Sequence, residues 1–287
     1  MGSAVLQDKA LLHWLDVHDK VVVSDVSASG GCIADSRKLY LNDGSCLFLK
    51  QMSVPVSGMF RAEAKGLDVL SRIGKIQTPK VLFQSDNCLV LEYIEAAAPV
   101  PDFDELLGQK LASMHNQTMD FFGFEIDTFC GATQQPNSQK VDGYQFYGEQ
   151  RFLYLGTRCY EKNYIAKKEL AGIESITTRL IELVPAQTPA LLHGDLWRGN
   201  VHCDASGTPV LIDPAVYCGW AEADLAMTKL FGGFSAKFYA AYQEIHPLTP
   251  GWEQRMDLYN LWHLLNHLLL FGESYFHDVK QVIHKYA

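Results

Sequence analysis

The sequence contains no uninterrupted apolar run of about 18 residues, the length a membrane-spanning helix needs, so no membrane span is expected. Residues 1–20 lack the basic start and compact apolar stretch of a secretory signal. Positive charge is scarce: 24 Lys and Arg stand against 33 Asp and Glu, a net charge of −9 with His neutral. Sequence-independent nucleic-acid binders draw their affinity from neutralising phosphates, so no nucleic-acid partner is expected. The 7 cysteines are odd in number and show no paired CxxC spacing, in a chain of 287 residues large enough not to need covalent staples. Reduced thiols and a cytoplasmic location are the expectation. Internal repeats and low-complexity tracts are missing too. What is present is an ordinary globular composition, 48% apolar and 20% charged, sufficient for one large core or two modest lobes.

Periodicity sorts the chain into two kinds of segment. Residues 4–18 carry Leu11, Leu12 and Leu15 at helical spacing. Residues 21–26 read as a short strand, followed by a small-residue turn over 27–32. Strands over 33–41 and 46–50 flank Asn42-Asp43-Gly44, a hairpin turn signal. A helix is expected over 60–73, and two further strands over 81–83 and 89–93. The tract Ala96-Ala97-Ala98-Pro99-Val100-Pro101 breaks regular structure. Beyond it the pattern predicts helices over 103–117, 144–164, 167–183, 221–230, 235–245 and 252–271, interrupted by apolar runs at 190–192 and 209–212. The expected architecture is α+β. A small N-terminal lobe (1–94) of antiparallel sheet with a helix is joined by a linker (95–101) to a larger, mainly helical lobe (102–287). Ligands often sit in the cleft between such units.

Both of the late apolar runs end in acidic chemistry. The first leads into His193-Gly194-Asp195-Leu196-Trp197-Arg198-Gly199-Asn200, the second into Ile212-Asp213-Pro214. An ionised carboxylate away from water needs a partner or a metal. Phosphoryl transfer gives work to all three polar residues. One carboxylate orients or deprotonates the attacking hydroxyl, while an Asn and a second Asp hold Mg²⁺, which favours hard oxygen ligands. Three other readings stay open on these residues alone. They are helix caps and turns, a nucleotide-binding protein without catalysis, and a metal-dependent hydrolase built on His193, Asp195 and Asp213.

The pattern His193-Gly194-Asp195-x4-Asn200 followed by Ile212-Asp213 resembles that of the aminoglycoside phosphotransferase-like kinases, relatives of the protein kinases. Longer strings, LLHGDLWRGNV, IDPAVYCGWAEADLAMTKLFGGF, FGFEIDTFCGATQQPN, FYGEQR and LYNLWHLLNHLLLFG, are similar to those of the fructosamine kinase (ketosamine-3-kinase) family. The similarity runs from about Asp25 to Phe271. It implies a protein-kinase-like two-lobe fold, ATP and Mg²⁺ as cofactors, and ATP-dependent phosphorylation of the C3 hydroxyl of fructosamines and ribulosamines. The unstable 3-phosphates then release the amine, a deglycation.

Carried over residue by residue, the resemblance makes Asp195 the catalytic carboxylate and Asn200 and Asp213 the metal ligands. Lys50 becomes the phosphate-gripping ammonium, paired with Glu63. Gly30, Gly31 and Cys32 would bring backbone N–H groups over the phosphates, and Glu92, Tyr93 and Ile94 would meet the adenine. Trp197 would lie against the sugar or amine, with His263 and His267 lining the acceptor pocket. The implied partners are ATP and a small ketosamine or glycated amine, the chain acting as a monomer or a homodimer. The family pattern differs from that of the regulated protein kinases, since HRD, DFG and APE signatures are missing. Cys32 is further read as a redox-sensitive thiol able to bridge two chains, the other cysteines as packing residues, and the His193 ring as a support for the catalytic loop. An aminoglycoside, choline or homoserine acceptor remains the alternative within the same fold.

Overall fold

The computed structural model of the chain describes residues 8–28 and 34–287. The predicted Gly30, Gly31 and Cys32 lie outside the described residues. Helix α1 (Lys9–Val17) starts where the Asp8 carboxylate accepts hydrogen bonds from the Ala10 and Leu11 N–H groups. Five strands follow, β1 (Val22–Ser27), β2 (Asp35–Leu41), β3 (Cys46–Gln51), β4 (Val81–Gln84) and β5 (Cys88–Glu92), with α2 (Met59–Arg72) inserted between β3 and β4. They form one antiparallel sheet in the order β1-β2-β3-β5-β4. The β2–β3 hairpin turns at Asn42-Asp43-Gly44, where Gly44 has φ +82° and Asp43 accepts the Ser45 N–H at 2.9 Å.

Alternation along β3 decides what each face of the sheet does. Leu47 and Leu49 pack with Leu11 and Leu15 of α1. Phe48 packs with Phe60 and Leu67 of α2 on the other face, and Lys50, two residues on, shares that face. The lysine is therefore aimed at α2 by strand parity alone.

The rest of the chain is mainly helical. It comprises α3 (Phe103–His115), a small hairpin of β6 (Thr128–Cys130) and β7 (Thr133–Gln135), α4 (Gly143–Tyr147), α5 (Tyr154–Glu161) and α6 (Lys167–Leu183). Then come β8 (Ala190–Leu192), β9 (Val201–Cys203), β10 (Pro209–Leu211), β11 (Tyr217–Gly219), α7 (Ala221–Leu230), α8 (Ala236–Ile245), α9 (Trp252–Phe271) and α10 (Phe276–Tyr286). β8 pairs with β11 and β9 with β10, both antiparallel. Backbone bonds join this region to the sheet side: Leu211 donates to the Gln77 carbonyl at 2.9 Å and Ala97 to the Cys203 carbonyl at 2.8 Å. Among the described residues no helix is long and apolar enough to cross a membrane.

Two expectations need correction. The single helix expected over 144–164 is interrupted by a π-helical turn, Gly148–Leu153, and ends at Glu161. Gly148 sits so near α6 that a Cβ on it would lie 2.5 Å from a Thr177 methyl. The wide turn carries Arg151 inward, where it donates to the Pro136 carbonyl and to Asn137 Oδ1, each at 2.7 Å, beneath the rings of Phe146 and Tyr217. Helix α10 was not anticipated, although its buried Val279, Val282, Ile283 and Tyr286 recur at helical spacing.

Helices α3 and α8 touch at backbone distance. A Cβ at Gly108 would fall 2.3 Å from the Phe238 carbonyl oxygen, an atom fixed in its own helix. Gly108→Ala is expected to destabilise the protein by about 1–3 kcal/mol through overpacking. The test is a lowered denaturant midpoint with an unchanged m-value.

Candidate active site

The site is assembled by two loops held face to face. After β8 the chain turns at Gly194, with φ +83°. A side chain there is impossible, because its Cβ would lie 2.0 Å from the Ala215 carbonyl oxygen. The neighbouring Ala215 N–H donates to the His193 carbonyl at 2.9 Å. The His193 ring spans the same gap. Its Nε2–H donates to the Ile212 carbonyl at 2.9 Å and its Nδ1 accepts the Asp195 N–H at 3.3 Å, which assigns the neutral tautomer. Burial lowers the His193 pKa despite the nearby carboxylates, in keeping with that tautomer.

Asp224 of α7 anchors the first loop from below. Its two oxygens accept the N–H groups of His193 at 2.7 Å and Gly194 at 2.9 Å, and His115 Nε2 lies 3.3 Å away. Burial works to raise its pKa, but the His115 hydrogen bond, attraction to His115 and His193, and the Gly194 N–H outweigh it, so the carboxyl stays low.

This frame fixes the predicted chemistry. Asn200 Nδ2 donates to the Asp195 carbonyl at 2.8 Å and to Asp195 Oδ2 at 3.2 Å. Burial, then the charges of Asp213 and Asp224, push the Asp195 pKa up to about 7 against the Asn200 bond. Opposite it, Lys50 Nζ donates to Glu63 Oε1 and to Asp213 Oδ1, both at 2.5 Å. Only 7% of the Lys50 side chain and 12% of that of Glu63 are exposed, which rules out an ordinary surface pair. Burial alone would lower the lysine pKa, yet the attraction of Glu63 and Asp213 outweighs it and the ammonium is held charged. Glu63 is pushed up by burial and by Asp213, against the pull of Lys50. Gly66, one turn after Glu63, permits this approach, since a Cβ there would already stand 3.1 Å from Val216 and 3.3 Å from Pro214. Asp213 itself sits in the left-handed region at φ +53°, which a short polar side chain tolerates.

Lys50, Glu63, Asp195, Trp197, Asn200, Asp213 and His267 all line one cavity of about 480 Å³, a size suited to a small ligand. Trp197 is 38% exposed, and its ring folds back over Gly199, where a Cβ would lie 2.2 Å from the indole. Phe231 stands edge-on to Trp197, and His267 packs between Phe231 and Tyr275. His263 does not line the cavity. It is buried in α9, while its backbone carbonyl accepts the His267 Nδ1–H at 2.7 Å. Glu92, which ends β5, and Tyr93 and Ile94 just after it lie outside this cavity, the Tyr93 ring lying 3.9 Å beneath the Lys38 ammonium.

Sequence reasoning missed Asp224, and it missed Phe129, Cys130 and Asn266, which line the cavity from the β6–β7 hairpin and α9. Asn266 was detectable as an amide within a leucine-rich helix. Cys130, read as a packing residue, does belong to the hydrophobic core and in addition lines the cavity.

The chain matches the family model described as fructosamine kinase over residues 11–287. The chain belongs to the fructosamine kinase family. It is 35% identical over 294 residues to a chloroplastic protein-ribulosamine 3-kinase of Oryza sativa subsp. japonica, covering 99% of this chain and 85% of that one. A solved structure of a Thermobifida fusca protein assigned as a fructosamine-3-kinase superposes with TM-score 0.88 at 31% identity, covering 96% of this chain and 97% of that one. The gentamicin complex of APH(2")-IIa shares the fold alone, with TM-score 0.62 and 14% identity over 98% of this chain and 96% of that one. Like other fructosamine kinases, this one is an ATP-dependent phosphotransferase with a mixed α+β, kinase-like fold.

Asp224→Asn leaves one acceptor oxygen where two backbone N–H groups now bond. The expected result is a stability loss of about 1–3 kcal/mol, from one unsatisfied buried donor. Thermal melting should show it, together with a fall in phosphotransferase turnover as the loop carrying Asp195 loosens.

Proposed function

We propose that this fructosamine kinase transfers the γ-phosphoryl group of ATP to the C3 hydroxyl of a ketosamine. The observation that carries this reading is the convergence of Lys50, Glu63 and Asp213 with Asp195 and Asn200 on one cavity. Asp195 accepts the proton of the acceptor hydroxyl as its oxygen bonds to phosphorus and ADP departs. Its raised pKa suits a carboxylate that must take up a proton near neutrality. Lys50, held by Glu63, exchanges the Asp213 carboxylate for phosphate oxygens when nucleotide enters. Asn200 and Asp213 supply hard oxygen donors on the cavity wall, the donor set Mg²⁺ prefers, and would hold it. When bound, Mg²⁺ neutralises charge on the phosphates. The 3-phosphate then breaks down and frees the amine.

The acceptor end is aromatic. Trp197, Phe231, His267, Phe271 and Tyr275 form a continuous wall. A ketosamine carries a protonated amine beside its sugar, and a ring face attracts such a cation. Burial lowers the His267 pKa, so this member of the wall adds no positive charge to repel it.

The test is ATP consumption with N-fructosyl and N-ribulosyl amines, an aminoglycoside, choline and homoserine, with the phosphate position read by NMR. Turnover of the ketosamines at C3 is expected, falling by about 10²–10⁴-fold in Asp195→Asn at an unchanged melting temperature. Turnover of an aminoglycoside and of no ketosamine would overturn the assignment.

Removing the aromatic wall should act on binding more than on chemistry. Trp197→Ala is expected to raise KM for the ketosamine about tenfold, from roughly 1.4 kcal/mol of lost ring contact, with kcat changed less. Gly199→Ala, which displaces the indole without removing it, should move KM the same way.

A further inference from the structure

Beside the phosphate grip lies a second group of potential ligands. The Cys130 thiol, a ring nitrogen of His263 and the Asp195 carboxylate lie within 4.8 Å of one another. They come from β6, α9 and the loop after β8. His263 is 5% exposed, and its Nδ1 is buried without a hydrogen-bond partner among the described residues. An unpaired buried nitrogen is costly unless something bonds to it. Burial keeps the ring neutral, with the pKa lowered to about 3, so one of its two nitrogens carries a lone pair free to bind. Cys130 is 4% exposed and, with Asp195, faces the cavity, which leaves a path for an ion.

We propose that Cys130, His263 and Asp195 form a binding site for a thiophilic divalent cation, Zn²⁺ first among them, and that its occupation inhibits the kinase by engaging the Asp195 carboxylate. A sulfur–nitrogen–oxygen donor set favours zinc-like ions over Mg²⁺, which takes oxygen ligands, so the ion that serves the phosphates does not compete here. Tetrahedral Zn²⁺, at about 2.3 Å from sulfur and 2.0 Å from nitrogen, holds its ligand atoms about 3.3–3.6 Å apart. The three side chains need close by little more than about an ångström to meet that geometry. Asp195 is the least buried of the three, and its carboxylate would close on the ion at the expense of the 3.2 Å Asn200 bond. Cys130 and Asp195 line the cavity, from which water would complete the shell.

Binding replaces the Cys130 S–H by a metal–sulfur bond and releases the proton to solvent. Arg151 lies close enough to influence both Cys130 and His263, and Asp195 and Asp224 supply the compensating negative charge. The binding half of the proposal stands on geometry. Only the inhibition rests on the role proposed above for Asp195.

The test uses the full chain and Cd²⁺ as a spectroscopic stand-in, followed by Zn²⁺. Cd²⁺ is expected to produce a thiolate-to-metal absorption band, displaced by Zn²⁺, in the wild type and in Cys32→Ser. In Cys130→Ser that band should vanish while the melting temperature is kept. His263→Gln should keep the band but weaken Cd²⁺ affinity by at least about tenfold. With Mg²⁺-ATP in excess, Zn²⁺ should inhibit wild-type turnover, and Cys130→Ser should shift the midpoint upward by at least about tenfold. A band that persists in Cys130→Ser, or equal Zn²⁺ inhibition of both proteins, would overturn the proposal. A band lost in Cys130→Ser from a protein that turns over no ketosamine would sustain the site and overturn the acceptor assignment instead.

Discussion

One buried ammonium organises the molecule. Lys50 leaves the central strand of the sheet and meets a carboxylate from α2 and another from the loop after β10, at 2.5 Å each. Two negative groups and one positive group in a poorly solvated place are tolerable only while they remain together, since separating any of them strands a charge away from water. The strand, the helix and the loop must therefore keep a common position. Gly66 in the contact face of α2, the small strands β8 to β11 and the backbone bonds from Gln77 and Ala97 all serve that requirement.

The second constraint is polar and acts from beneath. Asp224 and the neutral His193 ring satisfy the backbone of a loop too irregular to satisfy itself. Buried loops carry unpaired N–H and C=O groups that must find partners. Here those partners double as the scaffold of the Asp195 carboxylate. Asp195 is thus held by groups that do not line the cavity, and Asn200 then fixes its side-chain direction.

Much of this was legible in the sequence because it depends on local periodicity. The Asn42-Asp43-Gly44 turn set the hairpin and two short apolar runs ending in acids marked both loops, while the pairing of Lys50 with Glu63 came from the family resemblance. The remainder depends on approach between distant segments. The Asn266 amide reaches the Cys130 carbonyl across 136 positions of chain, and no spacing rule links them. Asp224 was hidden for a similar reason, since an acid within an apolar helix shows its purpose only when the loop it supports is seen. The π-helical turn was hidden as well, because α4 and α5 on either side of it are each too short to fix a helical phase from periodicity alone.

That turn has a structural effect out of proportion to its size. A residue added to a helix rotates everything after it by about 100° relative to what precedes it. Gly148–Leu153 therefore acts as a phase adjuster. It lets α4 bury Phe146 and Tyr147 and α5 bury Leu155 and Cys159, while Arg151 points at the backbone just beyond β7. The backbone just beyond the hairpin that walls the cavity is therefore held by an arginine from a helix whose own residues do not line that cavity.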